Sequence, residues 1–154
     1  MRMIRVVCVG KVKEQYFRDG IKEFLDRIGK RFPVEIRECD DEATPDQASK
    51  AQELCIKEKE GQRILSCIGR NDYVVALCID GKGYSSKAWD RHMDQLCSRV
   101  GEDLVFVIGG SLGLSDAVVR RADEKLSFSE MTFPHQMMRM ILLDQIAVWT
   151  SGRS

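Results

Sequence analysis

Leu104-Val105-Phe106-Val107-Ile108 runs directly into Gly109-Gly110-Ser111-Leu112-Gly113, and this stretch decides the fold. The five apolar residues predict a buried strand, and the glycines predict a tight turn at its carboxyl end. A short helix to about Glu124 and a second short strand, Lys125–Phe128, are expected next. Because open α/β sheets bind ligands in crevices outside the carboxyl ends of their strands, residues 104–133 are predicted to build a ligand pocket.

The segments before this stretch alternate between strand and helix patterns. Strands are predicted at 3–9, 34–39 and 73–80, each a short run rich in apolar or β-branched residues. The helix after the second strand is expected to start at Thr44-Pro45-Asp46-Gln47, with proline at its first helical position. The order β-α-β-α-β-α-β-α-β-α predicts one α/β domain, residues 1–154, with a mostly parallel sheet and helices on both faces.

The last predicted helix, after Pro134, is apolar on more than one face. Its apolar positions are Met137, Met138, Ile141, Leu142, Ile146 and Trp149. One face of a helix is enough to cover the chain's own sheet, so the second face predicts contact with another subunit. A homodimer is therefore expected.

The composition excludes several classes of protein. Lys plus Arg and Asp plus Glu each number 24, so no basic excess indicates general nucleic-acid binding. The six cysteines include no C-x-x-C pair, and no acidic or histidine cluster has metal-ligand spacing. No apolar run approaches the roughly 18 residues that span a bilayer, and no signal-peptide pattern is present. A reduced, cytoplasmic domain without metal or membrane is expected.

Gly109-Gly110-Ser111-Leu112-Gly113 also fits G-x-S-x-G, the nucleophile elbow of serine hydrolases. That motif needs an acid and then a histidine downstream, and His135 is the only histidine after Ser111. Only 43 residues follow Ser111, which leaves little room for the strands that carry those partners. Serine hydrolysis is therefore the weaker alternative.

The same glycines would let backbone N–H groups approach a ligand closely. Neither G-x-G-x-x-G nor G-x-x-x-x-G-K-[ST] is present, so dinucleotide and triphosphate sites lack their fingerprints. The neighbouring segment Phe128–Phe133 offers two aromatic rings, a methionine and irregular backbone. An adenine ring needs an apolar slot with backbone groups at its edge, so this pair of loops predicts a nucleoside-type cofactor.

Three runs of residues resemble one family closely. They are Val107-Ile108-Gly109-Gly110-Ser111-x-Gly113, Leu126-Ser127-Phe128-Ser129 and Met131-Thr132-Phe133-Pro134-His135-Gln136-Met137-Met138-Arg139. Together with residues 57–65 and 9–11, they are similar to the RlmH family of SPOUT-class methyltransferases. The resemblance covers roughly residues 3–146 and is most specific in the run from 132 to 139.

The resemblance implies an α/β-knot domain with a C-terminal trefoil knot that binds S-adenosylmethionine and works as a homodimer. The implied reaction is methylation of N3 of a pseudouridine in helix 69 of 23S rRNA on the assembled ribosome. The cofactor residues that carry over are Leu77, Gly109 and the loop Phe128, Ser129, Glu130, Met131, Thr132 and Phe133.

Two polar residues after that loop are candidates for chemistry. His135 has a side chain whose ordinary pKa suits proton transfer, although its alternative role is to organise the loop. Arg139 is a candidate to hold a phosphate or the cofactor carboxylate, with packing on the helix surface as its alternative.

The chain departs from the family at its end. Family members continue into Tyr-Arg-Ala and a basic tail containing Tyr-His, whereas residues 147–154 here read Ala-Val-Trp-Thr-Ser-Gly-Arg-Ser. The resemblance places that tail near the target base. The alternative to an active enzyme is therefore a ribosome-associated module that binds the cofactor without turnover.

Overall fold

The computed structural model describes residues 1–152, so Arg153 and Ser154 of the predicted 1–154 domain lie outside the described residues. Strands and helices alternate along the chain. They are β1 (Ile4–Val9), α1 (Gln15–Ile28), β2 (Val34–Cys39), α2 (Lys50–Leu65), β3 (Tyr73–Gly83), α3 (Ser86–Arg99), β4 (Leu104–Ile108), α4 (Asp116–Arg121), β5 (Glu124–Ser127) and α5 (His135–Ser151). The predicted order of elements is confirmed.

The five strands form one parallel sheet in the order β2-β1-β4-β3-β5. Because all strands point the same way, their carboxyl ends and the loops that follow them gather at one edge. β3 lies between β4 and β5, so the loops after β4 and β5 flank the end of β3. This arrangement positions the site described below.

Helices cover both faces of the sheet, as the alternating pattern predicted. On one face, the strand residues Ile4, Val6 and Phe106 pack in a core with side chains of α1, α3 and α5. On the other face, Val7 and Val105 pack in a second core with α2 and α4. Both faces of β1 and β4 are therefore covered, which is why β4 is apolar throughout and β1 is apolar except at Arg5.

The predicted start of α2 is wrong. The helix begins at Lys50 rather than near Pro45, because a complete capping box lies five residues further on. The Ser49 hydroxyl accepts from the Gln52 N–H at 3.1 Å, and the Gln52 side chain accepts from the Ser49 N–H at 2.8 Å. Gln47 has a φ of 55°, which is incompatible with an α-helix through that residue.

β3 leaves the sheet and returns to it before it ends. Leu77 and Lys82 both pair with Leu126 of β5, so residues 78–81 bulge outward between them. Gly81 is required at the return, since a Cβ there would lie 2.7 Å from the Leu126 carbonyl carbon. The bulge brings 78 and 79 to the edge where the loops gather. The C-terminal trefoil knot implied by the resemblance stays a prediction.

The end of α5 is part of the core. Ala147 and Trp149 are buried, and the Trp149 Nε1 donates to Asp94 Oδ1 of α3 at 2.9 Å. The atypical residues from 147 to 151 therefore extend α5, and Ala147, Trp149 and Thr150 among them pack in the chain's own core. Within residues 1–152, no helix combines the length and the apolar character needed to cross a bilayer.

Candidate functional site

A pocket of about 610 Å³ opens at the carboxyl edge of the sheet, outside the end of β3. Its walls are the β3 bulge, the loop after β4, the loop after β5 and the first turn of α5. The lining residues are 77–79, 108–114, 126–129, 131–135 and 138. The volume falls within the range of roughly 300–1,000 Å³ that is common for small-molecule sites. The prediction of a pocket at this edge is confirmed.

The loop after β4 is a compact turn. Gly110 and Gly113 form a β-bridge across Ser111 and Leu112, and Gly113 has a φ of 87°. A Cβ on Gly109 would lie 2.8 Å from the Gly113 carbonyl carbon, so the turn closes tightly on a residue without a side chain. Gly109, predicted to contact a cofactor, lines the pocket through its backbone.

The turn after β4 does not have the form of the nucleophile elbow that the weaker alternative, a serine hydrolase, would need. An elbow places its serine on a sharp turn directly between strand and helix. Here α4 begins at Asp116, with Ser115 as its cap, and the exposed Ser111 lies within the turn. The serine therefore lacks the helix that a hydrolase of this type requires.

The loop after β5 supplies the aromatic wall. The Ser127 hydroxyl donates to the Ser129 carbonyl at 3.0 Å, and the Ser129 hydroxyl accepts from the Met131 N–H at 3.0 Å. These bonds hold an irregular segment in one conformation. The predicted residues that line the pocket here are Phe128, Ser129, Met131, Thr132 and Phe133, whereas Glu130 is exposed and does not line it.

β3 contributes more of the wall than the sequence indicated. Leu77 was predicted to lie in the site and lines the pocket, but Cys78 and Ile79 line it too. The sequence did not indicate Cys78 and Ile79 because nothing in the run Tyr73–Asp80 marks the bulge. The one residue that could have indicated the bulge is Gly81. Burial, followed by nearby Asp80, raises the pKa of the Cys78 thiol. The thiol therefore stays protonated at neutral pH and acts as an apolar wall.

His135 lies at the first turn of α5 and faces the pocket. Its pKa is lowered from the ordinary 6.5, first by burial and then by the charge of Arg139, while Asp41 opposes the shift. The imidazole is therefore neutral at pH 7 and can accept a proton. No Asp, Glu, Lys or Arg is among the described residues that line the pocket.

Arg139 does not line the pocket, and its side chain is only 1% exposed. Arg139 is therefore buried within the fold, and its predicted role in holding a phosphate or the cofactor carboxylate stays a prediction. Its guanidinium donates to Glu38 Oε2 and to the carbonyls of Val9 and Gly10. These partners all belong to the chain's own scaffold.

The pocket is therefore mainly apolar, with two aromatic side chains, glycine backbone at one wall and one histidine. Among residues 1–152, no group of three or more His, Cys, Asp or Glu side chains is placed to hold a metal ion. The arrangement suits an uncharged planar ring with polar groups at its edge, such as a nucleoside.

Comparison with known proteins assigns the family. The family described as "Predicted SPOUT methyltransferase" matches residues 1–148, nearly the whole chain. The chain belongs to the SPOUT methyltransferase family. The resemblance noted in the sequence, and the α/β fold with a parallel sheet that it implied, are confirmed.

Several relatives carry the same name, "Ribosomal RNA large subunit methyltransferase H". The protein of Clostridioides difficile (strain 630) is 54% identical over 143 residues, which cover 93% of this chain and 90% of that protein. The protein of Streptococcus thermophilus (strain CNRZ 1066) is 48% identical with the same coverage.

One solved structure shares the fold at low sequence identity. It is a probable methylase family protein from Haemophilus influenzae Rd KW20, with a TM-score of 0.55 and 10% identity. The match covers 99% of this chain and 69% of the other.

Proposed function

We propose that this protein uses S-adenosylmethionine to methylate N3 of a pseudouridine in helix 69 of 23S rRNA on the assembled ribosome. The observation that carries the proposal is the pocket at the end of β3, in a chain of the SPOUT methyltransferase family. The relatives at 54% and 48% identity are named as large-subunit rRNA methyltransferases, which supports rRNA as the substrate.

The walls of the pocket fit the cofactor. We propose that Leu77 and the loop Phe128–Phe133 hold the adenine ring, with Gly109 passing close to the sugar. The apolar slot and the free backbone groups of both loops match an adenosyl group. When bound, S-adenosylmethionine would supply an activated methyl group on a sulfonium. Glu130, exposed on the same loop, would contribute backbone groups only.

His135 is the proposed general base. Pseudouridine N3 carries a proton that has to leave before the nitrogen can accept a methyl group, and a neutral imidazole at the pocket can take that proton. The remaining task of the chain is alignment, which means holding the acceptor nitrogen in line with the methyl group at about 3 Å.

We propose that the protein forms a homodimer and that it acts on ribosomes in the cytoplasm. Two apolar side chains of the pocket are exposed, Ile79 at 56% and Met131 at 70%, and their cover by a second subunit is part of the proposal. Met137 and Val148 of α5 are also exposed. Because the formal net charge is zero, recognition of rRNA would depend on the shape of the assembled ribosome rather than on general attraction to phosphate.

Thermal unfolding with S-adenosylmethionine or its demethylated product tests the pocket. A ligand that binds only the native state at 100 times its Kd adds about 2.7 kcal/mol to stability. For a domain of this size, that corresponds to a rise in Tm of roughly 5–10 °C. Adenosine alone serves as the control and is expected to give a smaller shift.

Two outcomes separate the competing functions. If neither S-adenosylmethionine nor its demethylated product shifts the Tm, the proposal of a methyltransferase pocket is contradicted. A clear shift, with no methyl transfer to ribosomes, would instead favour the ribosome-associated module without turnover.

A further inference from the structure

A buried arginine, paired with a carboxylate that is 38% exposed, lies directly behind the first turn of α5. The cluster of Arg139, Glu38 and the backbone carbonyls of Val9 and Gly10 is called the Arg139 clamp below. Arg139 Nη1 donates to Glu38 Oε2 at 2.8 Å, and Nη2 donates to the Val9 and Gly10 carbonyls at 2.9 and 2.7 Å. A charge buried to this degree persists only with good partners, so the clamp holds Arg139 in one place.

The clamp joins three parts of the chain at the edge that carries the pocket. Glu38 belongs to β2, and its Oε2 also accepts from the Val12 N–H at 3.2 Å. Val9 ends β1, and Gly10, with a φ of 87°, turns the chain away from the sheet. A guanidinium with several fixed donors suits this geometry, whereas an ammonium would satisfy fewer acceptors at once.

Among residues 1–152, no other side-chain hydrogen bond or ion pair holds the start of α5. Pro134 caps the helix without a side-chain hydrogen bond, and no acidic residue lies in the first turn. His135 and Arg139 are one turn apart, so they lie on the same face of α5. A helix held at Arg139 therefore presents His135 to the pocket in a defined place.

Two charged groups act on the His135 imidazole. Arg139 acts from the same helix, and Asp41 acts from the loop after β2. Burial adds to the effect of Arg139 and lowers the pKa of His135, while Asp41 raises it. Loss of the Arg139 charge would thus raise the pKa of His135, and any loosening of the helix start would raise it further.

We propose that Arg139 is a positioning residue, which acts through His135 by anchoring the first turn of α5 to the carboxyl ends of β1 and β2. It does not touch the pocket, and the clamp uses two of its three guanidinium nitrogens on the chain itself. The role of His135 as a base rests on the proposed function. The positioning of its side chain by Arg139 does not.

The first test is the pKa of His135, measured by NMR titration of its ring protons. The chain has only two histidines, so a His92→Gln variant assigns the two signals. The test variant combines Glu38→Leu with Arg139→Met, which removes both charges, so that neither member of the ion pair is left without its partner. Its His135 pKa is expected to rise toward about 6.5, and Arg139→Lys is expected to restore part of the lowering.

The control removes an ion pair of the same kind from the surface. Glu23→Leu with Arg27→Met deletes an exposed pair on α1 and is expected to leave the pKa of His135 unchanged. An unchanged pKa of His135 in a folded Glu38→Leu/Arg139→Met protein would overturn the proposal. If that double variant does not fold, the Arg139→Lys variant provides the test. A His135 pKa in that variant equal to the His135 pKa of the unsubstituted protein would overturn the proposal.

The second test is the pH profile of methyl transfer to ribosomes at saturating cofactor. When the pKa of His135 rises, the fraction of neutral imidazole falls most at low pH. At a pKa of about 6.5 roughly a quarter of the imidazole is neutral at pH 6 and nearly all of it at pH 8, so the double variant is expected to lose up to about 4-fold more activity at pH 6 than at pH 8. An equal loss at both pH values would indicate a structural role only. If the unsubstituted protein transfers no methyl group, the proposed function fails, while the NMR titration still tests Arg139.

Discussion

Replacing His135 with glutamine is expected to lower the rate of methyl transfer by about 10²–10⁴-fold at pH 7. Glutamine keeps a polar side chain of similar reach but cannot accept the N3 proton. The measurement is a single-turnover assay on ribosomes with saturating cofactor. In the unsubstituted protein, the rate is expected to fall as pH decreases through the pKa of His135, which lies below 6.5. The variant is expected to lose this dependence.

The affinity for the cofactor distinguishes the two roles of His135. As a base it contributes little to binding, so the Kd of S-adenosylmethionine, measured by calorimetry, is expected to change less than about 3-fold, or 0.7 kcal/mol. A large loss of affinity, with a normal rate once the cofactor saturates, would contradict the base and favour an organiser of the loop.

Gly109→Ala is expected to weaken cofactor binding at least about 10-fold, which corresponds to 1.4 kcal/mol. The new Cβ would lie 2.8 Å from the carbonyl carbon and 2.9 Å from the oxygen of Gly113. Both atoms are backbone, so the turn after β4 has to open, and that turn lines the pocket. Calorimetric titration with S-adenosylmethionine measures the effect.

Gly101→Ala is the matched control, because a Cβ at Gly101 meets no atom within 4 Å. It adds the same methyl group to a turn far from the pocket lining. Its cofactor affinity is expected to equal that of the unsubstituted protein. Equal affinities for the Gly109 and Gly101 variants would mean that the turn after β4 is not a wall of the cofactor site.

The centre of the fold was predictable because the strands β1 and β4 are buried on both faces. Leu104–Ile108 has no exposed side, so every position is apolar. The strand can therefore be recognised from its own five residues. The alternation of such runs with amphipathic helices then predicted a parallel sheet and placed the loops after β4 and β5 at one edge. Most of the pocket follows from those two loops.

The remaining features depend on contacts between distant parts of the chain. Arg139 reads as an ordinary polar residue of α5, and only the fold brings Glu38 and the end of β1 to it. The β3 bulge depends on its pairing with Leu126, which no local pattern records. The start of α2 was misread for a different reason: two capping patterns compete within nine residues, and Ser49 forms the box.

The most direct test of the central claim is mass-spectrometric mapping of 23S rRNA after incubation of assembled ribosomes with the protein and isotope-labelled S-adenosylmethionine. The expected result is one labelled methyl group on N3 of a pseudouridine in helix 69, absent from ribosomes that lack the pseudouridine and absent with the His135→Gln protein. Label on another nucleotide, or equal label on ribosomes without pseudouridine, would contradict the account.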